Sequence, residues 1–162
     1  MYLKRSLSII ALGFGSGLSP FAPGTVGSAL AAAIFYFFIS NSITNFFGVA
    51  LFFLFIAVSF FIGIFVYSQT ADGEDPKSFV WDEFVGMWVA CIPLSLFKME
   101  LAWLIAAFIL FRVFDIWKPW IIKTYDNKSG AFYVMIDDVL AGFFAAIFIS
   151  LSFLLISRNI FF

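Results

Sequence analysis

Five long apolar runs, none alternating with polar residues, fill most of this chain: roughly Thr25–Ser40, Phe46–Tyr67, Asp82–Phe97, Leu101–Trp117 and Asp138–Ser157. A spanning helix needs about 17–25 residues, whereas membrane strands would alternate. With 64% hydrophobic residues and 12% charged, the chain lies far above the roughly 45–50% apolar content of soluble domains. The expectation is an all-α integral membrane protein with about five transmembrane helices. Its 162 residues suit one membrane-embedded domain, 1–162. Ser6–Leu18 is too short to cross and rich in Gly, so it reads as an N-terminal re-entrant or interfacial segment. Lys4 and Arg5 before Leu7–Leu12 have some look of a signal peptide. The glycines and prolines that follow match a cleavage site poorly, and the segment is read as retained.

Two absences narrow the chemistry. The chain has no His, and its one Cys, Cys91, lies within an apolar run. That removes disulfides, Cys/His zinc sites and a Ser-His-Asp triad. A metal here must be held by oxygen, which favours Mg²⁺ or Mn²⁺. No basic tract points to nucleic acid.

Against this background two acidic doublets stand out, Asp82-Glu83 and Asp137-Asp138, each at the mouth of an apolar run. A carboxylate at membrane depth costs several kcal/mol unless it meets a partner, a metal or water. One acid at a helix start gains roughly 0.3–1 kcal/mol from the macrodipole. Adjacent carboxylates repel, and a shared divalent cation relieves that repulsion.

Threading the chain through five spans places the doublets on one side. The Gly/Pro-rich stretch before span one, the polar loop Ser68–Trp81, the Arg112/Asp115 end of span four and the loop Lys118–Ile136 all fall there. The tight turn Lys98-Met99-Glu100 falls on the other. Lys4, Arg5, Lys77, Arg112, Lys118, Lys123 and Lys128 lie on the doublet side against Lys98 and Arg158 opposite, so the positive-inside rule makes the doublet side cytoplasmic. Spans three and four have only about 14 uncharged residues each, roughly 21 Å of helix. Their charged ends are thereby drawn below the headgroups, unless the bilayer thins.

Other residues fit an anion. Arg112 and Asp115 share a helix face at i, i+3. They are either an internal salt bridge or a phosphate clamp beside an acidic cluster. Lys118 follows one turn on, before Pro119, and reads as a headgroup anchor or a further cation. The stretch Gly13–Ser28, with Ser16, Gly24, Thr25 and Ser28, offers backbone N–H groups and a helix start with Thr25 as its N-cap. Gly86 and Gly142 each lie one turn beyond an acid and permit close helix packing. Acids, a cation site and an anion loop at one membrane face point to phosphoryl chemistry on a lipid. The alternative is an ion channel or transporter using the acids as a cation site, but a path would need polar residues along its length.

Four blocks carry a resemblance: GFGSGLSPFAPGTVGS at Gly13–Ser28, VWDEFVGMW at Val80–Trp88, FRVFDIWKPW at Phe111–Trp120 and MIDDVLAG at Met135–Gly142. In this order they resemble the bacterial phosphatidylglycerophosphatase A family. The resemblance implies a Mg²⁺-dependent phosphatase of the bacterial cytoplasmic (inner) membrane, with its active site facing the cytoplasm. Its substrate would be phosphatidylglycerophosphate and its products phosphatidylglycerol and phosphate. It implies Asp82, Glu83, Asp115, Asp137 and Asp138 as catalytic acids. Arg112 and the Gly/Ser/Thr loop match further shared positions. The family's Gly-Gly-x-Gly before the last block reads here Gly130-Ala131-Phe132-Tyr133.

Two routes remain open for hydrolysis, metal-assisted attack of water and an aspartyl-phosphate. Water is preferred, since no DxDxT-type signature is present. Glu83, Asp137 and Asp138 lead as metal ligands. Asp82 is a further ligand or, like Asp115, a candidate base. Arg112, Lys118, Ser16, Gly24, Thr25 and Ser28 are the expected phosphate-binding set.

Overall fold

The computed structural model describes residues 2–70, 78–97 and 100–160, with side chains from 6 to 157 within those ranges. The described residues are helices and short connections, with no strand among them. Residues 71–77 of the polar loop, including Lys77, and the Lys98-Met99 turn lie outside the described residues, as do the side chains of Lys4, Arg5 and Arg158.

The chain opens with α1 (Tyr2–Ala11) and a tight 3-10 turn, Gly13–Leu18. At about 15 Å, α1 is too short to cross a bilayer, as expected of this segment, and it packs on α3 (Phe46–Thr70). Helix α2 (Pro23–Ile34) continues through a π turn at Phe35–Ile39 and a 3-10 turn at Ser40–Ser42. It starts two residues before Thr25. Pro23 at the first helical position has its φ preset for a helix and no N–H to satisfy, so Ala22 occupies the cap and Thr25 does not.

Among the described residues, three helices are long and apolar enough to cross a membrane: Pro23–Ser42, Phe46–Thr70 and Ala131–Ser157. The other two expected spans form shorter helices. The third run breaks into α4 (Trp81–Ala90) and α5 (Ile92–Phe97) around Cys91. Pro93 causes the break, because it has no N–H for the Val89 carbonyl and its ring crowds that turn. The fourth run is α6 (Leu101–Trp117), about 25 Å long. Within the polar loop a short α7 (Ile121–Asp126) precedes α8 (Ala131–Ile160).

Helix α4 is the axis of the molecule. It packs against α2, α3, α6 and α8, and every residue from Trp81 to Ala90 is buried except Asp82 and Glu83. A helix apolar on all sides belongs in the middle of a bundle. Two indole N–H groups tie it down: Trp81 donates to the Ser59 carbonyl at 3.0 Å and Trp88 to the Ala31 carbonyl at 3.1 Å. A Cβ on Gly86 would stand 2.6 Å from the Asp138 carbonyl oxygen, so the expected close crossing of α4 and α8 is present.

The glycine-rich stretch serves mainly this core. Any Cβ on Gly13 would press on Val80 and Phe84, and one on Gly17 would strike the Ser78 carbonyl. The Val80 N–H donates to the Ala11 carbonyl at 2.9 Å. The turn thus props the start of α4, and the Phe14 ring (φ 57°) meets Trp81 and Phe84 edge-on.

Candidate active site

The ends of α2, α4, α6 and α8 and the α7–α8 loop enclose a cavity of about 710 Å³. Asp82, Glu83, Arg112, Asp115, Lys118, Asp137, Asp138 and Gly24 all line it, so residues of all four sequence blocks converge there. Ser16, Thr25 and Ser28 do not line it. Ser16 is buried and donates to the Gly13 carbonyl at 2.8 Å. Ser28 sits just behind the wall, where it donates to the Gly24 carbonyl at 2.6 Å and accepts from Arg112 at 3.2 Å.

The doublets enter differently. Asp82 and Glu83 occupy the first turn of α4, where the helix N-terminus favours negative charge. Helix α8, however, begins at Ala131 rather than at the acids. Asp137 and Asp138 thus lie nearly two turns inside it, beyond the reach of the dipole's first turn. Capping therefore does not account for the second doublet.

Successive helical residues point about 100° apart, and this splits the second doublet. Carboxylate oxygens of Asp82, Glu83 and Asp138 lie within 4.8 Å of one another. Asp137 turns to Lys118, with Nζ to Oδ2 at 2.7 Å. Of the acids expected as ligands, Glu83, Asp137, Asp138 and Asp82, three form this close group, and Asp137 lies beside it on Lys118. Glu83 Oε2, Asp138 Oδ2 and Asp137 Oδ1 are buried without a hydrogen-bond partner among the described residues. Such orphaned acceptors are costly in a low-dielectric setting unless something positive meets them.

Arg112 forms the internal pair with Asp115 at 2.6 Å and still reaches the cavity, its Nε buried and unpartnered among the described residues. Gly24 lies beside it, where a Cβ would displace Glu83 Oε1 from its present position. Lys118 takes the left-handed conformation at the end of α6 (φ 46°, ψ 58°), an uncommon state for a residue with a Cβ and one that gathers at functional sites. It binds both Asp126, at 2.5 Å, and Asp137. Burial pulls the Lys118 pKa down, but the hydrogen bonds to these two carboxylates outweigh it, and it stands above the usual lysine value.

Asp126 was missed from the sequence because α7, which carries it back toward Lys118, is a single short helix in a polar loop. Tyr67, Lys128 and Tyr133 also line the cavity. Tyr133 holds the position of the last glycine in the Gly-Gly-x-Gly pattern.

Comparison with known proteins gives the family. The family profile described as phosphatidylglycerophosphatase A matches residues 9–153. The phosphatidylglycerophosphatase A of Escherichia coli is 41% identical over 142 residues, covering 85% of this chain and 78% of its own length. That of Haemophilus influenzae is 41% identical over 151 residues, covering 90% and 87%. A Bacteroides thetaiotaomicron relative named "Putative phosphatidylinositol-3-phosphatase" is 40% identical over 149 residues, covering 89% and 91%. No solved structure matches. With matching blocks spread over nearly its whole length and its acids gathered in one cavity, the chain belongs to the phosphatidylglycerophosphatase A family.

Proposed function

We propose that this phosphoric monoester hydrolase removes the terminal phosphate of phosphatidylglycerophosphate, releasing phosphatidylglycerol and inorganic phosphate. Family membership supports the activity and a phospholipid substrate. The observation that carries the mechanism is the group Asp82, Glu83 and Asp138, three carboxylates within 4.8 Å in a cavity shared with Arg112.

That group fits a hard divalent cation: all donors are oxygen, and two of its buried oxygens lack partners among the described residues. Asp82, Glu83 and Asp138 would hold Mg²⁺, which when bound neutralises charge on phosphoryl oxygens and makes water more acidic. Arg112, fixed by Asp115 and Ser28, binds a phosphoryl oxygen. Of the cavity acids outside the trio, Asp115 Oδ2 is engaged by Arg112 and Asp126 Oδ1 by Lys118, whereas Asp137 Oδ1 is buried with no partner among the described residues. Asp137 Oδ1 accepts the proton from the attacking water, and Lys118 orients that carboxylate. The water oxygen bonds to phosphorus and the phosphorus–oxygen bond to the glycerol breaks. The glycerol oxygen leaves and takes a proton from solvent, becoming the terminal hydroxyl of phosphatidylglycerol.

The five-span arrangement and a cytoplasmic site in the bacterial inner membrane belong to the same reading. Helices α4–α5 and α6 would cross where the bilayer thins around their charged ends. The basic residues at the cavity end support the orientation. Transport has less support, because the described parts of α2, α3 and α8 away from the cavity are almost wholly apolar.

The test is phosphate release from phosphatidylglycerophosphate by the purified protein in detergent, with Mg²⁺ or with EDTA, and with phosphatidylinositol 3-phosphate as a competing substrate. Release that needs Mg²⁺ and prefers phosphatidylglycerophosphate supports the reading. Faster release from the inositide overturns the substrate, and cation flux in liposomes without any phosphate release overturns the enzyme.

A further inference from the structure

Among the described residues three cationic side chains line the cavity, Arg112, Lys118 and Lys128, and they are held in different ways. Arg112 is paired with Asp115, and Lys118 with Asp126 and Asp137. Lys128 has no carboxylate partner among the described residues. Its ammonium stands 5.1 Å from the ring centres of both Tyr125 and Tyr133, and those rings are 6.2 Å apart. Aromatic faces attract a cation through their quadrupole without cancelling its charge. The two rings therefore position a full positive charge, whereas the carboxylates around Lys118 neutralise theirs.

The placement matters as much as the charge. Arg112 reaches the cavity from α6, beside Gly24 and Ser28 of α2. Lys128 comes from the α7–α8 loop, with its two rings on α7 and on the first turn of α8. The acid trio is supplied by α4 and α8, so the cavity offers two separate anion contacts on walls built by different elements. One phosphoryl group needs only the contact at Arg112.

Resting on the phosphatase reading, we propose that Lys128, positioned by Tyr125 and Tyr133, binds a second anionic group of the lipid headgroup. In phosphatidylglycerophosphate that group is the phosphodiester between the reacting end and the diacylglycerol. Lys128 is then a specificity residue, selecting a headgroup with two phosphates over one with a single phosphate monoester.

The experiment compares kcat/KM for phosphatidylglycerophosphate and for phosphatidic acid, which lacks the diester, in mixed micelles with Mg²⁺. A charge-assisted contact at a partly open site corresponds to about a tenfold effect. In Lys128→Met the ratio of the two kcat/KM values falls by about that factor, through KM for phosphatidylglycerophosphate and not through kcat. Lys128→Arg retains the ratio, and replacing both tyrosines with Leu lowers it. An unchanged ratio in Lys128→Met, or an equal fall on both lipids, overturns the role of Lys128 while leaving the phosphatase reading intact. Wild-type protein that hydrolyses neither lipid overturns the phosphatase reading and this inference with it.

Discussion

Gly142 of α8 lies directly against Gly86 of α4, so close that a Cβ on Gly142 would strike the Gly86 carbonyl oxygen. The two glycines lie one turn from Asp82 and Asp138, and their contact brings the two acid-bearing helices together. Overpacking a tight site costs about 1–3 kcal/mol, and here it would also part Asp138 from Asp82 and Glu83. Gly142→Leu is expected to lower thermal stability and to reduce phosphate release more than the stability loss explains. Wild-type turnover by the folded variant would show that the trio does not depend on this contact.

Asp138 and Asp137 are adjacent but separable. Asp138→Asn removes a member of the trio, so Mg²⁺ should no longer raise the melting temperature as it does for a protein that binds it only when folded. Asp137→Asn leaves the trio and removes the proposed proton acceptor, so kcat should fall about 100-fold with the Mg²⁺-dependent shift retained. Melting curves with and without Mg²⁺, set beside turnover, distinguish the two. Loss of the shift in both variants would place Asp137 among the ligands.

Gly24→Ala tests the wall between Arg112 and the acids. Its Cβ falls where Glu83 Oε1 stands, so the carboxylate must move. Displacing a reacting group by about an ångström can cost around 100-fold, and a fall of that order in kcat/KM is expected with the helices still folded by circular dichroism. Activity near wild type would mean that Glu83 has room to swing without consequence.

Ser28→Ala removes the hydroxyl that accepts from Arg112 while leaving its pair with Asp115. One such bond is worth about 1 kcal/mol, so kcat/KM should fall roughly fivefold. The same variant combined with Arg112→Ala should add nothing further, since the hydroxyl acts through the guanidinium. An additive loss would give Ser28 a separate role.

Much of this was legible in the residues. Continuous apolar runs gave the all-helical class and, for α6, the bounds Leu101–Trp117, whereas the third run breaks at Cys91 and α8 begins seven residues before Asp138. What escaped depended on direction and on local competition. Which of two adjacent acids faces the cluster is set by where α8 starts, and that lies in the polar sequence before the apolar run. Thr25 looked like a cap because its side chain suits one, but Pro23 begins the helix first. The glycines of Gly13–Ser19 have an anion-loop composition, yet Gly13 packs on Val80 and Phe84 and Gly17 on the Ser78 carbonyl, while Gly15 takes φ 99° in open space. Asp126 and Lys128 carried no periodic signal at all, since a six-residue helix in a polar loop is shorter than any pattern that could announce it.

The two indole bonds from Trp81 and Trp88 have a further consequence. They lie about two turns apart on α4 and fasten it to α3 and α2 at the same time. Asp82 and Glu83 thus ride on a fixed post whose amides should be among the last to exchange with solvent. Asn127–Gly130, on the cavity wall that carries none of the acid trio, are exposed, and their amides should exchange far sooner.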